Sequence, residues 1–169
     1  MNFIETRGND GEHSKEVTFS SAILAPIASF GGIYAPESLP DLGQDFLQQH
    51  VQSNYKTLAK SILAAFEIDI DQDVIDEALG LYDAFDKDNT MADGSVNPVP
   101  LARVKDDLYI SELYHGPTRA FKDMALQPFG VVLSSLAQKR NENYLIMAAT
   151  SGDTGPAALE TFKNRDNVQ

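Results

Sequence analysis

Cysteine is absent from the 169 residues. That excludes a disulfide framework and any thiolate metal site, and it fits a cytoplasmic setting. Positive charge is scarce: 13 Lys and Arg stand against 25 Asp and Glu, a formal net charge of −12. Such a surface repels phosphate backbones and anionic bilayers, so neither nucleic acid nor a membrane is an expected partner. Its simplest use is solubility. No apolar run approaches the ~20 residues of a membrane-crossing helix. The opening residues Met1 to Arg7 lack the basic-then-apolar order of a secretory signal. Histidine is limited to His13, His50 and His115; no metal-ligand spacing links His13 and His50, and no Ser/His/Asp set is recognisable, so no metal is expected.

What is present suits a globular α/β protein. The hydrophobic share of 43% is enough for a buried core. Gly8 to Glu16 reads as an exposed polar loop. Ala22 to Ala25 is a short apolar run ended by Pro26. Gly31-Gly32 beside apolar residues predicts a tight turn into a short strand, followed by a loop over Pro36 to Asp45. Leu58, Ala59, Ile62, Leu63 and Phe66, counted from Tyr55, repeat at helical spacing, and Val74, Ile75, Ala78, Leu79, Tyr82 and Phe85 do the same. Asp71 or Asp73 is placed to cap the second of these helices. The acidic, aperiodic stretch Asp86 to Pro98 marks a boundary between residues 1–95 and 96–169.

Beyond it, Val99 to Val104 and Leu108 to Tyr114 flank Lys105-Asp106-Asp107 as a β-hairpin. A helix is expected from about Ala120 to Arg140, kinked or broken near Pro128, which lacks the N–H for the carbonyl four residues back. The continuously apolar Tyr144 to Ala149 predicts a strand buried on both faces. A Gly/Ser/Thr loop and a helix from about Pro156 to Lys163 follow, with Pro156 at the first helical position. Helix, strand, loop and helix in that order imply a parallel sheet with ligands at the carboxyl ends of its strands. A single strand of that type leaves the sheet unfinished.

Two stretches carry the chemistry: His115-Gly116-Pro117-Thr118-Arg119-Ala120-Phe121-Lys122-Asp123 and Thr150-Ser151-Gly152-Asp153-Thr154-Gly155. Lys122 falls where a turn becomes a helix. The helix N-terminus and the apolar neighbours Ala120, Phe121 and Met124 favour the neutral amine that a Schiff base requires. Asp123 acts oppositely if its carboxylate faces that amine, and the sequence leaves its direction open. The second stretch matches neither of the two standard glycine-rich phosphate motifs. An anion held by Thr150, Ser151, Thr154 and backbone N–H groups, with Asp153 turned toward a hydroxyl or protonated imine, is one reading; a capped strand-to-helix turn is the other. His115 is available to a substrate or to a loop carbonyl.

Taken together, these motifs resemble the threonine synthase family of pyridoxal-phosphate (PLP) enzymes, in the tryptophan-synthase-β fold group. The family's H-G-P-T-x-A-F-K-D pattern is matched at His115 to Asp123 and its T-S-G-D-T-G pattern at Thr150 to Gly155. Asn2 to Gly8 resembles its N-terminal N-x-x-S-T-R-G segment, with Glu5 in place of serine, and Gly31 to Glu37 resembles G-G-L-Y-V-P-E. Ala28-Ser29-Phe30, where the family often has an acid, and Pro128 depart from the pattern. The resemblance implies a helical N-terminal domain followed by the start of a fold-type II, PLP-dependent parallel-sheet domain. It implies Lys122 as the residue bonded to pyridoxal 5'-phosphate, with Asp153 near the cofactor's ring hydroxyl. Thr150, Ser151, Gly152 and Thr154 would hold a small-molecule substrate, O-phospho-L-homoserine, and His115 and Thr118 are placed with them. The implied reaction converts this substrate and water to L-threonine and phosphate. Family members are longer, and their later half supplies a cradle for the cofactor phosphate and a partner for the pyridine nitrogen. The expectation is therefore an N-terminal fragment without turnover of its own. A related PLP-dependent phospho-amino-acid lyase and a non-catalytic anion-binding or interaction module are the competing readings.

Overall fold

The computed structural model describes residues 1–8, 10–12 and 15–169; His13 lies outside them. Strand β1 (Phe3–Glu5) is the centre of a small antiparallel sheet, flanked by β2 (Glu16–Val17) and β3 (Tyr34–Pro36). Phe3 faces Val17 on one side and Pro36 on the other. Gly31, with φ +70, makes the turn that leads into β3. The run Ala22 to Ala25 belongs to helix α1 (Phe19–Leu24) and its C-cap, and Thr18 starts that helix by accepting from the Ser21 N–H.

Helix α2 (Gly43–His50) occupies a stretch whose first residues read as loop. None of its residues is buried, so it leaves no apolar stripe to find. Helices α3 (Tyr55–Ala65) and α4 (Gln72–Gly80) lie where periodicity placed them, the second extended by a tight turn over Leu81–Ala84. Asn54 caps α3 through its side chain. Asp71 stands at the N-cap of α4 without making a capping bond, and its carboxylate pairs with Lys139 instead, at 2.5 Å. Between Asp86 and Pro98 the chain forms a tight loop closed by a Thr90–Val96 bridge, with Gly94 at φ +82. The hairpin of β4 (Leu101–Lys105) and β5 (Leu108–Ser111) is antiparallel, as expected, and its side chains are largely exposed.

Helix α5 (Asp123–Arg140) is the axis of the core. Its Val131, Val132 and Leu136 pack with Ala78 of α4, while Leu133 packs with Phe162 and Val168. The break expected at Pro128 does not occur: α5 runs through it. The carbonyl that Pro128 leaves without an amide is that of Met124, and the Tyr82 hydroxyl donates to it at 2.5 Å. A side chain thus replaces the missing backbone donor. Burial and the adjacent Tyr55 push the Tyr82 hydroxyl well above the ordinary phenol range, so it remains a donor.

Helix α6 (Thr154–Phe162) begins two residues earlier than expected and puts Pro156 at its third position. Proline is tolerated there because first-turn N–H groups have no intrahelical acceptor. α6 lies close against α5, since a Cβ on Gly130 would come within 2.7 Å of Thr161 Cγ2 and 2.8 Å of its carbonyl. Tyr144 to Ala149 is not a strand buried on both faces. Tyr144 bridges Val168 in parallel, Ile146 donates to the Gln169 carbonyl at 2.6 Å, and Leu145 and Met147 stay 73% and 86% exposed. Apolar composition predicts burial only where neighbours cover both faces; among the described residues the backbone of this segment pairs with residues 167–169. Asn167 ties that partner segment to Ser134 of α5 through two 2.8 Å hydrogen bonds. The parallel pairing and the mixed helical architecture agree with the expected α/β class. No helix among the described residues is long and apolar enough to cross a membrane.

Candidate active site

Residues 116–123 fold into a tight turn that feeds α5. Arg119 takes a left-handed conformation, φ +62, and its N–H donates to the Gly116 carbonyl at 3.2 Å. Asp123, the first residue of α5, is wholly buried. Its Oδ2 accepts from the Thr118 N–H and its Oδ1 from the Thr118 hydroxyl, both at 2.8 Å. Gly116 is required by this packing, because a Cβ there would lie 2.5 Å from both Cβ and Oδ2 of Asp123. The direction left open by the sequence is therefore inward: Asp123 faces the turn and not the lysine. Thr118 spends its hydroxyl and its N–H on the same carboxylate.

Lys122 stands at the N-cap of α5 and points the other way. Its Nζ lies 2.6 Å from Asp153 Oδ1, with 26% of its side chain exposed, and 4.5 Å from the Phe121 ring centroid. The amine thus faces a carboxylate and, of the apolar neighbours expected of it, the Phe121 ring. Lys122 holds the Asp153 carboxyl below the usual carboxylate range, chiefly through this hydrogen bond. The two motifs, 31 residues apart in sequence, meet at this pair.

The Thr150–Gly155 loop is open where the Gly116–Asp123 turn is closed. Thr150 Oγ1 accepts from the Gly152 N–H at 3.1 Å, and a Cβ on Gly152 would meet nothing within 4 Å. Gly155 is held close to Thr150, where an added Cβ would come within 2.7 Å of Cγ2. Ser151 and Thr154 share this loop and the first residue of α6. An amine paired to a loop that carries hydroxyls, backbone N–H groups and open space over Gly152 fits a small aldehyde carrying anionic groups.

His115 is engaged by two acids outside the motifs. Its Nδ1 is 3.0 Å from Asp86 Oδ2 and its Nε2 is 2.8 Å from Glu112 Oε2. These two carboxylates, Asp86 first, push the imidazole above the ordinary histidine range despite partial burial. Asp86 also pairs with Arg119, and Arg119 ahead of His115 holds the Asp86 carboxyl below its usual range. The sequence reading missed Asp86 and Glu112. Glu112, three residues before His115, carried a local signal; Asp86 did not, being 29 residues away.

A family model described as "Threonine synthase N terminus" matches residues 2–80. The chain is 36% identical to a threonine synthase of Pseudomonas aeruginosa over 99% of its own length and 34% of the relative's. It is 33% identical to "Threonine synthase-like 2" of mouse, over 99% of the chain and 33% of that protein. A crystal structure of PLP-bound threonine synthase from Brucella melitensis superposes with a TM-score of 0.87 at 32% identity, covering all of this chain and 34% of that one. The chain therefore spans about a third of the length of the curated relatives it matches.

Proposed function

We propose, from the premise that this chain corresponds to the N-terminal portion of the threonine synthase family, that it contributes the amine-bearing half of a PLP site. The observation that carries this reading is the 2.6 Å contact between Lys122 Nζ and Asp153 Oδ1, which joins the two motifs into one open site. Bound PLP supplies an aldehyde for amines and a ring that takes up electrons from a neighbouring carbon. Lys122 would supply the amine for that aldehyde and, as a base, would move protons at the substrate's Cα and Cβ. Asp153, beside that amine, would lie near the cofactor's ring hydroxyl. Thr150, Ser151, Gly152 and Thr154 orient the substrate's anionic groups through hydroxyl and backbone donors.

The proposed overall reaction takes O-phospho-L-homoserine and water to L-threonine and phosphate. The Cγ–O bond to phosphate breaks and water adds at Cβ. Residues 1–95 would form the supporting helical domain, and residues 96–169 the first part of the cofactor domain. Borohydride reduction of the complete reading-frame product with PLP, followed by peptide mapping, tests the central point. Reduction should fix PLP on Lys122; fixation on another lysine would sink the reading.

The same two motifs admit a second reading, a related PLP-dependent lyase of phospho-amino acids. The same protein supplied with O-phospho-L-homoserine separates the two. Threonine and phosphate are expected from the first, a keto acid and phosphate from the second.

A further inference from the structure

Two acids of the site, Asp123 and Asp153, differ in what they touch. Asp153 touches the amine and is half exposed. Asp123 is wholly buried beside Lys122 in sequence, yet both of its oxygens are taken by Thr118. Successive helical residues project about 100° apart, as 3.6 residues per turn requires. Fixing Asp123 inward therefore fixes the sector into which Lys122 projects. Three further constraints lock the arrangement. Gly116 leaves the carboxylate just enough room, Asp123 N–H donates to the Ala120 carbonyl at 3.0 Å, and Leu126 N–H donates to the Lys122 carbonyl at 2.8 Å.

We infer that Asp123 is a positioning residue: by clamping Thr118 it aims the Lys122 amine at the Thr150–Gly155 loop. This rests on the reading of Lys122 as the cofactor amine. The clamp leaves the amine itself untouched, so its loss slows capture of an aldehyde by misdirecting the lysine. A displacement of the order of 1 Å at a reacting atom costs up to about a hundredfold in rate.

The test uses the complete reading-frame product, freed of PLP, as wild type and as Thr118→Ser, Thr118→Val and Asp123→Asn. Thr118→Val keeps the volume and the N–H bond, so it isolates the hydroxyl half of the clamp. Thr118→Ser restores that half. Two quantities are read at Lys122 by peptide mass: the rate at which added PLP becomes fixed by borohydride, and the pH profile of acetylation by acetic anhydride without PLP. Thr118→Val and Asp123→Asn should slow fixation by about tenfold or more and shift the acetylation profile, with Thr118→Ser matching wild type. Wild-type fixation and an unshifted profile in Thr118→Val would overturn the inference. If wild type fixes PLP on another lysine, the reading of Lys122 as the cofactor amine fails instead, and the acetylation profile alone still decides whether the clamp aims Lys122.

Discussion

The turn at residues 116–123 and the loop at 150–155 meet at the Lys122–Asp153 pair, and they are built on opposite plans. In the turn, the acid is buried, both its oxygens are bonded, and the glycine has no room for a methyl group. In the loop, the acid is half exposed and Gly152 faces open space. In the proposed site, the difference assigns geometry to the turn and ligand entry to the loop. A nucleophile gains from a rigid mount, while the surface that admits a ligand must keep unfilled volume and available donors.

Substitutions break this comparison most directly at its glycines. Gly116→Ala should have the largest effect, a destabilisation of about 1–3 kcal/mol, because Asp123 cannot give way without losing its bonds to Thr118. Denaturant titration of the complete reading-frame product measures it. An unchanged midpoint would mean that the turn is less rigid than its packing implies.

The His115 cluster tests how far the rigid plan extends. Its folded-state pKa is raised, so its contribution is fully present below the ordinary histidine value of about 6.5 and is lost as pH rises through the higher folded value. Melting temperature should therefore decline over that alkaline window, and His115→Gln should flatten the decline. Asp86 and Glu112 run oppositely, their depressed values making their contribution vanish as pH falls below the carboxylate range. Melting curves recorded across both windows separate the two arms.

Asp153→Asn sharpens the comparison from the open side. It removes the partner of Lys122 from an exposed position, where ion pairs contribute little to stability. The melting temperature should stay unchanged, while borohydride fixation of PLP on Lys122 falls. The smallest effect is expected for Gly152→Ala, within about 0.5 kcal/mol of wild type in denaturant titration.

Much of the scaffold was legible because burial writes itself into periodicity. The stripes from Tyr55 and from Val74 predicted α3 and α4, and the paired runs around Asp106 predicted the hairpin. The exposed α2 and the short strand Phe3–Glu5 carry no comparable stripe, so neither was foreseen. Tyr144 to Ala149 misled for the opposite reason, since its apolar side chains lie exposed beside a single partner segment. At the site, residue types pointed to Lys122 and Asp153 separately. Their contact depends on how closely α6 approaches α5 at Gly130, and the inward aim of Asp123 depends on Thr118. Both are relations between side chains that spacing along the chain does not encode.

Pro128 and Tyr82 act as one unit. The proline silences an amide and the phenol, 46 positions earlier, answers for it at the Met124 carbonyl. A residue with an N–H at position 128 would release residue 82 from that duty, and phenylalanine would become as acceptable there as tyrosine. Where the proline persists, the hydroxyl should persist with it. The backbone of the helix that begins at Lys122 is thus completed by a ring borrowed from the other side of the acidic loop.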